Sequence, residues 1–430
     1  MINFIEKLGE KLMPIATKLG QNRYLLVLRD AFMLSFPLTM FGSIIVVLNH
    51  LPFFSPETQG MLNGLFSSGQ NATMSILSVF VTFGIGYYLS KSYDVEAVFG
   101  GVISLAAFLI LTPFHLVTES GETVGGVLAL DRLGAKGMFI GMIAAFVAAE
   151  IYSRLTKKGF TITMPDGVPP AVAKSFSALI PAIATLTLFN LLNAFVTGAL
   201  NINLHDWIYN VIQIPLTGLG TSLGGTLVAV FFVQLLWFFG LHGQVIVNSV
   251  MDPIWLSTAT DNYAQFTAGA EELPHIVTKP FMETYTVGMG GSGSTLIVVI
   301  LMAFFMKSRQ MKEVGRLAIG PGIFNVNEPA IFGLPIVLNA AIFIPWVLAP
   351  MVTTAFNYTM LSLELFPKTT GAIIPWTIPF FINGSLATNS IMGGVLQLIS
   401  MVIIGVIWYP FLKLIDKQNL AIDLTEPELA

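Results

Sequence analysis

Ile140-Gly141-Met142-Ile143-Ala144-Ala145-Phe146-Val147-Ala148-Ala149-Glu150-Ile151 is the stretch whose reading decides the fold class. Its apolar residues run on without the period-two alternation that a strand of a membrane barrel shows. Inside a bilayer, backbone N–H and C=O groups are satisfied only in closed barrels or in helices, so this run reads as a helix. The remainder agrees. Of 430 residues, 54% are hydrophobic and 10% charged, whereas globular chains are roughly 25% charged. Other apolar runs approach the ~20 residues that a spanning helix needs. The chain reads as an all-α polytopic membrane protein.

Working outward, apolar spans are expected near 30–49, 72–90, 97–113, 137–153 and 175–199. Residues 1–29 carry Lys7, Lys11, Lys18, Arg23 and Arg29, while 50–71 hold no Lys or Arg. The segment 154–174 holds Arg154, Lys157, Lys158 and Lys174, and 200–223 again none. The positive-inside rule therefore puts the N-terminus and the 154–174 loop in the cytoplasm. Residues 2–20 space Ile2, Ile5, Leu8, Leu12 and Ile15 among charges, as an amphipathic surface helix does. No removable signal peptide is expected at the N-terminus. The net charge of −4 comes without a basic tail or face, which argues against nucleic acid. Zero cysteines exclude disulfides, thiolate metal sites and a cysteine nucleophile within these residues.

The second half is broken differently. Spans are expected near 224–241, 295–306, 330–347, 348–365 and 390–412, with Lys413 and Lys417 keeping the C-terminus inside. Residue 223 should be outside and 307 inside, yet the two obvious runs between them give an even number of crossings. Either the polar tract 247–288 crosses, or the Gly-rich segment does not. Short interrupted segments near 280–295 and 371–389 read as two re-entrant hairpins, which are tolerated where they line a cavity. A boundary near residue 200 separates a uniform anchoring half, 1–200, from a polar-punctuated half, 201–430.

Candidate site residues fall in that second half. Glu328, in Phe324-Asn325-Val326-Asn327-Glu328-Pro329, is the one charged residue between Arg316 and Glu364. An intramembrane acid is costly and functional by default. His242, in Trp237-Phe238-Phe239-Gly240-Leu241-His242-Gly243, is the one titratable side chain between Asp206 and Asp252 apart from Tyr209, and its flanking glycines are read as letting a ligand approach. No cluster at metal-ligand spacing accompanies it, and no cofactor is expected. The run 288–294, with Gly290, Gly291 and Ser292, lacks the lysine of a Walker sequence. It reads as a hairpin tip whose N–H groups and hydroxyls face a polar ligand. Lys279 is either a positive charge near a phosphoryl group or a partner of Glu283. Trp376 offers a flat face for a sugar ring, and Asn327 and Asn383 add amides. This vocabulary of amides, hydroxyls, one acid, one imidazole and aromatics suits a neutral polyhydroxylated ligand.

The motifs Met164-Pro165-Asp166-Gly167-Val168-Pro169, Ala173-Lys174-Ser175-Phe176, Trp237 to Gly243, Gly290-Gly291-Ser292-Gly293 and Asn327-Glu328-Pro329, in that order, resemble the lactose/cellobiose/chitobiose-type enzyme IIC. That is the membrane permease of the bacterial phosphoenolpyruvate-dependent sugar phosphotransferase system. The resemblance covers essentially the whole chain. It implies a homodimer in the bacterial cytoplasmic membrane with about ten transmembrane helices per chain. It further implies an N-terminal half at the dimer interface and a C-terminal half that carries a β-linked disaccharide across as a block, elevator-fashion. The sugar would be phosphorylated on its 6-hydroxyl by a phosphocysteine on a separate IIB protein. Glu328 would hold that hydroxyl or accept its proton, and His242 would orient the ligand or stabilise developing charge. From the residues alone, a cation-coupled sugar symporter without phosphorylation stays open as the alternative. An enzyme acting on lipid-linked sugar lacks the paired carboxylates or metal arrangement it would need.

Overall fold

A computed structural model describes residues 18, 21–49, 54–118, 121–165, 167–334 and 336–425. The chain is mostly helical, and six described helices are long and apolar enough to cross a membrane, or seven when the pair Leu204–Gly220 and Leu223–Phe238, bent by 65°, counts as one span. Two shorter apolar helices, Ala97–Leu111 and Leu296–Phe305, accompany them. The amphipathic helix expected over 2–20 lies, but for Lys18, outside the described residues, as does Asp166.

Several elements differ from the pattern-based expectation, each for a physical reason. Residues 50–71 were read as an external segment, yet Pro56–Asn71 is a helix. It is too polar to register as a span, and Ser55 starts it by accepting from Thr58 N. The two spans expected at 330–347 and 348–365 are instead the short helix Glu328–Gly333 and one helix, Ala340–Ser362. Pro345 and Pro350 lie inside that helix without ending it, as prolines in membrane helices can when neighbours satisfy the freed carbonyls. The tract 247–288 contains a single long helix, Gly243–Thr267, about 37 Å at 1.5 Å per residue. Asp252 and Asp261 had hidden it from a hydropathy reading. The ambiguous segment 114–136 holds a two-stranded antiparallel ribbon, His115–Val117 with Thr123–Gly125, the only sheet among the described residues.

Two large hydrophobic cores form, beside a small cluster of Ile103, Tyr152 and Ala178. One draws its buried residues from Ala229 to Ile415, with Trp255, Trp346 and Trp408 fully enclosed. The other runs from Val27 to Ile208 and takes in Leu256, Ala259, Tyr263, Ala372, Ile373, Ile374 and Ala387. The helix Gly243–Thr267 serves both, giving Trp255 to the first and Tyr263 to the second. Polar contacts join the two halves of the chain within the second core: Tyr263 donates to Gly42 O at 3.2 Å, and Ile373 N donates to Ser43 Oγ at 2.7 Å.

Where hydrophobic exclusion adds little between helices, small residues let backbones approach. The helices Leu77–Ser92 and Ala97–Leu111 meet in this way, through Gly86 and Ser90 on one and Gly100 and Ser104 on the other. A Cβ on Gly100 would overlap Ser90 Oγ, and one on Gly86 would lie 2.5 Å from Gly100 O. Replacing Gly100 by Leu should force this crossing apart at a cost of about 1–3 kcal/mol. A drop of several degrees in the thermal unfolding midpoint of the purified protein is the expected readout. An unchanged midpoint would show that the crossing does not constrain the fold.

Candidate functional site

The helix Leu223–Phe238 ends in a turn through Gly240, whose φ of +78° suits glycine. His242 follows and caps the helix Gly243–Thr267, its Nδ1 accepting from Val245 N at 3.3 Å. That bond fixes the ring: a neutral imidazole accepting at Nδ1 presents Nε2–H as a donor. The ring packs against Trp237, with centroids 4.4 Å apart. The flanking glycines are not ligand gaps. Gly240 makes the turn, and a Cβ on Gly243 would collide with the carbonyl of Val233. The turn is tied to the loop beyond Gly333 by Leu338 N donating to Phe238 O at 2.9 Å.

Glu328 opens the helix Glu328–Gly333, with Pro329 in its first turn. Its side chain is exposed. Asn327, buried beside it, donates through Nδ2 to Ser292 O, which joins the Glu328 segment to the glycine-rich tip.

That tip follows Lys279–Met282 and a π-helical stretch, Glu283–Val287, and precedes the helix Leu296–Phe305. Gly290, Gly291 and Gly293 take φ of +104°, +82° and +83°. A Cβ on Gly291 would stand 2.7 Å from Asn325 O. The N–H groups expected to face a ligand are in part engaged within the fold: Gly290 N donates to Asn325 Oδ1 at 2.7 Å, and Gly291 N to Val287 O at 2.8 Å. Gly290 and Gly291 thus shape the tip, whereas the Ser292 hydroxyl reaches the Gln244 amide at 3.3 Å.

The second hairpin has an extended limb around Trp376, then the helix Ile382–Thr388, a left-handed Asn389 (φ +51°), and the helix Ile391–Thr425. Two amides that pattern reading did not single out staple it to the first hairpin. Asn325, itself at φ +63°, accepts from Gly290 N and donates to Trp376 O at 2.6 Å and Ile378 O at 3.0 Å. Gln397, fully buried, accepts from Phe381 N (2.8 Å) and Gly384 N (3.0 Å) and donates to Thr284 O (2.8 Å) and Gly288 O (3.2 Å).

His242, Glu328, Asn327, Gly290, Gly291, Ser292 and the Trp376 backbone are therefore drawn into one connected constellation, with the Trp376 side chain 42% exposed. Two other candidates sit apart. Asn383 is fully buried with both amide atoms unpartnered among the described residues, and its Oδ1 would lie 3.1 Å from a Cβ on Gly288. Lys279 is buried and paired, at 2.6 Å from Asp252 and 3.5 Å from Glu283, so of the two roles open to it from sequence, pairing is the one it takes. No group of three or more His, Cys, Asp or Glu residues suited to a metal occurs among the described residues.

Residues 29–350 match the family described as "Phosphotransferase system, EIIC". The chain is 61% identical over 420 residues to the "PTS system oligo-beta-mannoside-specific EIIC component" of Bacillus subtilis (strain 168), covering 97% of this chain and 95% of that one. It is 40% identical over 447 residues to the "PTS system cellobiose-specific EIIC component" of Geobacillus stearothermophilus, covering 100% and 98%. The crystal structure of the transporter ChbC, the IIC component from the N,N'-diacetylchitobiose-specific phosphotransferase system, superposes with a TM-score of 0.90 at 37% identity, over 98% of this chain and 100% of that one. A membrane-spanning helical chain of this architecture, matched along nearly its whole length, belongs to the phosphotransferase-system EIIC family.

Proposed function

We propose that this EIIC component carries a β-linked disaccharide or short oligosaccharide, and that Glu328 and His242 present its 6-hydroxyl to a phosphocysteine on a separate IIB protein. The observation that carries this reading is the convergence of the His242 and Glu328 segments, far apart in sequence, on Ser292, whose hydroxyl reaches Gln244 and whose carbonyl accepts from Asn327, with the imidazole's Nδ1 engaged by Val245 N and its Nε2 left to donate. In the transfer, the sugar oxygen attacks phosphorus and the P–S bond breaks. The cysteine thiolate leaves with the electron pair, and the hydroxyl proton passes to Glu328. His242 Nε2–H orients the sugar or stabilises charge on the transferring group. The printed specificities of the relatives are oligo-β-mannoside, cellobiose and N,N'-diacetylchitobiose. With 61% identity to the first, a β-mannoside is the leading substrate.

The helix Gly243–Thr267 supplies the crossing that the charge pattern lacked. Between residue 223, outside, and residue 307, inside, the chain then crosses with Leu223–Phe238, with Gly243–Thr267, and with the re-entrant hairpin leading into Leu296–Phe305, an odd number. Counted this way there are about ten crossings, both termini are cytoplasmic, and His242 and Glu328 face the side from which IIB arrives. We read 1–200 as a unit at a homodimer interface and 201–430 as a sugar-carrying unit moving elevator-fashion; the core drawn from Ala229 to Ile415 supports the second unit, while Leu256, Tyr263, Ile373 and Ala387 pack into the core of the first. The stapled pair of re-entrant hairpins would travel with the second unit.

Vesicles holding this protein, given labelled mannobiose or cellobiose and phosphorylated IIB, should accumulate sugar 6-phosphate. Unmodified sugar accumulating along a proton gradient would replace this reading with symport. Glu328→Gln should lower the phosphorylation rate about 100-fold or more and weaken binding, and His242→Gln should harm turnover at least as much as affinity. Wild-type turnover in either variant removes that residue from the site. Asn325→Ala should free the carbonyls of Trp376 and Ile378 at a local cost of about 1–3 kcal/mol. Faster proteolysis of that limb and a raised KM are the expected signs, and unaltered values of both would deny Asn325 its stapling role.

A further inference from the structure

Gln244, Asn248 and Asp252 stand four residues apart on the helix Gly243–Thr267 and so share one face. That helix meets the limb Lys279–Met282, which leads into the π-helical Glu283–Val287. The Lys279 ammonium has three N–H donors and finds three acceptors there. Asp252 Oδ1 is at 2.6 Å and Glu283 Oε1 at 3.5 Å. Asn248 completes the set: the groups around it require its amide oxygen to face Lys279 Nζ, at 2.9 Å. So turned, the Asn248 nitrogen donates to the Gln244 main-chain carbonyl at 3.2 Å, and the Gln244 side-chain oxygen accepts from Ser292 Oγ at 3.3 Å. An unbroken polar line therefore runs from a buried cluster of one ammonium and two carboxylates to the glycine-rich tip beside Asn327 and Glu328.

We propose that Lys279, Asp252 and Asn248 are positioning residues, which lock the 288–294 tip against the His242 end of the helix and thereby set the geometry of the sugar site. The sugar site itself is the one named under the proposed function, on which this inference rests. The chemistry favours a lock over a ligand contact. Lys279 is buried, bonded to Asp252 and faced by Glu283 and Asn248, so its donors point into the protein rather than toward a phosphoryl group or a sugar. A buried charge pair contributes little net stability compared with apolar packing, but it imposes one registry on the elements that hold it. Here the elements are the helix that begins at His242 and the limb that ends in the tip. The tip depends on such external ties because its glycines at positive φ have no side chains to pack.

The test uses the full chain in detergent and two readouts. The first is hydrogen exchange at the amides of 288–294, which needs no sugar. The second is the sugar KM and kcat in IIB-dependent phosphorylation. Lys279→Met leaves two carboxylates facing each other, and tip exchange should rise at least tenfold while the helix Ile391–Thr425 keeps its protection. KM should rise about tenfold, with kcat changed far less. Pairing it with Asp252→Asn removes the exposed repulsion and should recover part of the tip protection. Asn248→Leu breaks the line without leaving a buried charge, and it remains informative if Lys279→Met fails to fold. It should loosen the tip and raise KM in the same sense. Wild-type exchange at the tip in Asn248→Leu, or a kcat loss with KM unchanged, overturns the proposal. Should the wild-type protein phosphorylate no β-linked sugar, the reading of the site fails, and tip exchange alone still decides the lock.

Discussion

One buried glutamine meets four main-chain groups. Gln397 accepts from Phe381 N and Gly384 N and donates to Thr284 O and Gly288 O. Within an apolar body, every backbone polar group that leaves a regular helix needs a partner, and the cost of an unmet one is about 1–3 kcal/mol. Two hairpins that break their helices at the same depth leave such groups facing each other. Gln397 satisfies both hairpins at once and thereby fixes their separation. Asn325 repeats the solution nearer the site, between Gly290 N and the carbonyls of Trp376 and Ile378. The irregular backbone that makes room for a ligand is thus possible because two amide side chains stand in for missing helix.

Charges follow the same economy of placement. Asp416 accepts from the N–H groups of Lys307 and Ser308 at 2.7–3.0 Å, where the helix Arg309–Ile323 begins. Lys279 is enclosed by acceptors. Glu328 is different, since its carboxylate is exposed and the neighbouring His242 offers a donor rather than a full countercharge. A buried ion that is partnered is structural, whereas an exposed carboxylate with no ion-pair partner among the described residues keeps its acceptors free. This contrast separates Lys279 from Glu328.

How much of this was legible depended on whether the signal was a pattern or a meeting. Apolar runs such as the one around Ile140–Ile151 announced their helices because hydropathy is local. Gly243–Thr267 did not, because Asp252 and Asp261 lower its hydropathy while their partners, Lys279 and His275, come from later in the chain. The same blindness split 330–365 into two spans at its prolines, although Ala340–Ser362 passes through both. Glu328 and His242 stood out by isolation, which a sequence does display. Asn325 and Gln397 did not, since an asparagine or glutamine among apolar residues has no periodicity, and its worth lies in which backbone it meets. Even the glycines around His242 were visible while their reason was not: Gly243 is required by the carbonyl of Val233, ten residues earlier and across a turn.

The tip itself argues for a division of labour among its residues. Asn327 grips Ser292 O, Asn325 grips Gly290 N, and the Ser292 hydroxyl turns to Gln244. Three ties from two segments thus converge on a loop whose glycines at positive φ supply shape but little packing. Such a loop holds one conformation only while all three ties hold, and its order is set by its neighbours more than by itself. The arrangement of the segments around Glu328 and His242 is then a property of the assembled hairpins, because the tip beside them takes its shape from these ties. The 430 residues contain no thiol, so no thiol chemistry is available within them. What the described hairpins contribute is therefore geometry: a stapled frame that keeps the segments around Glu328 and His242 in register.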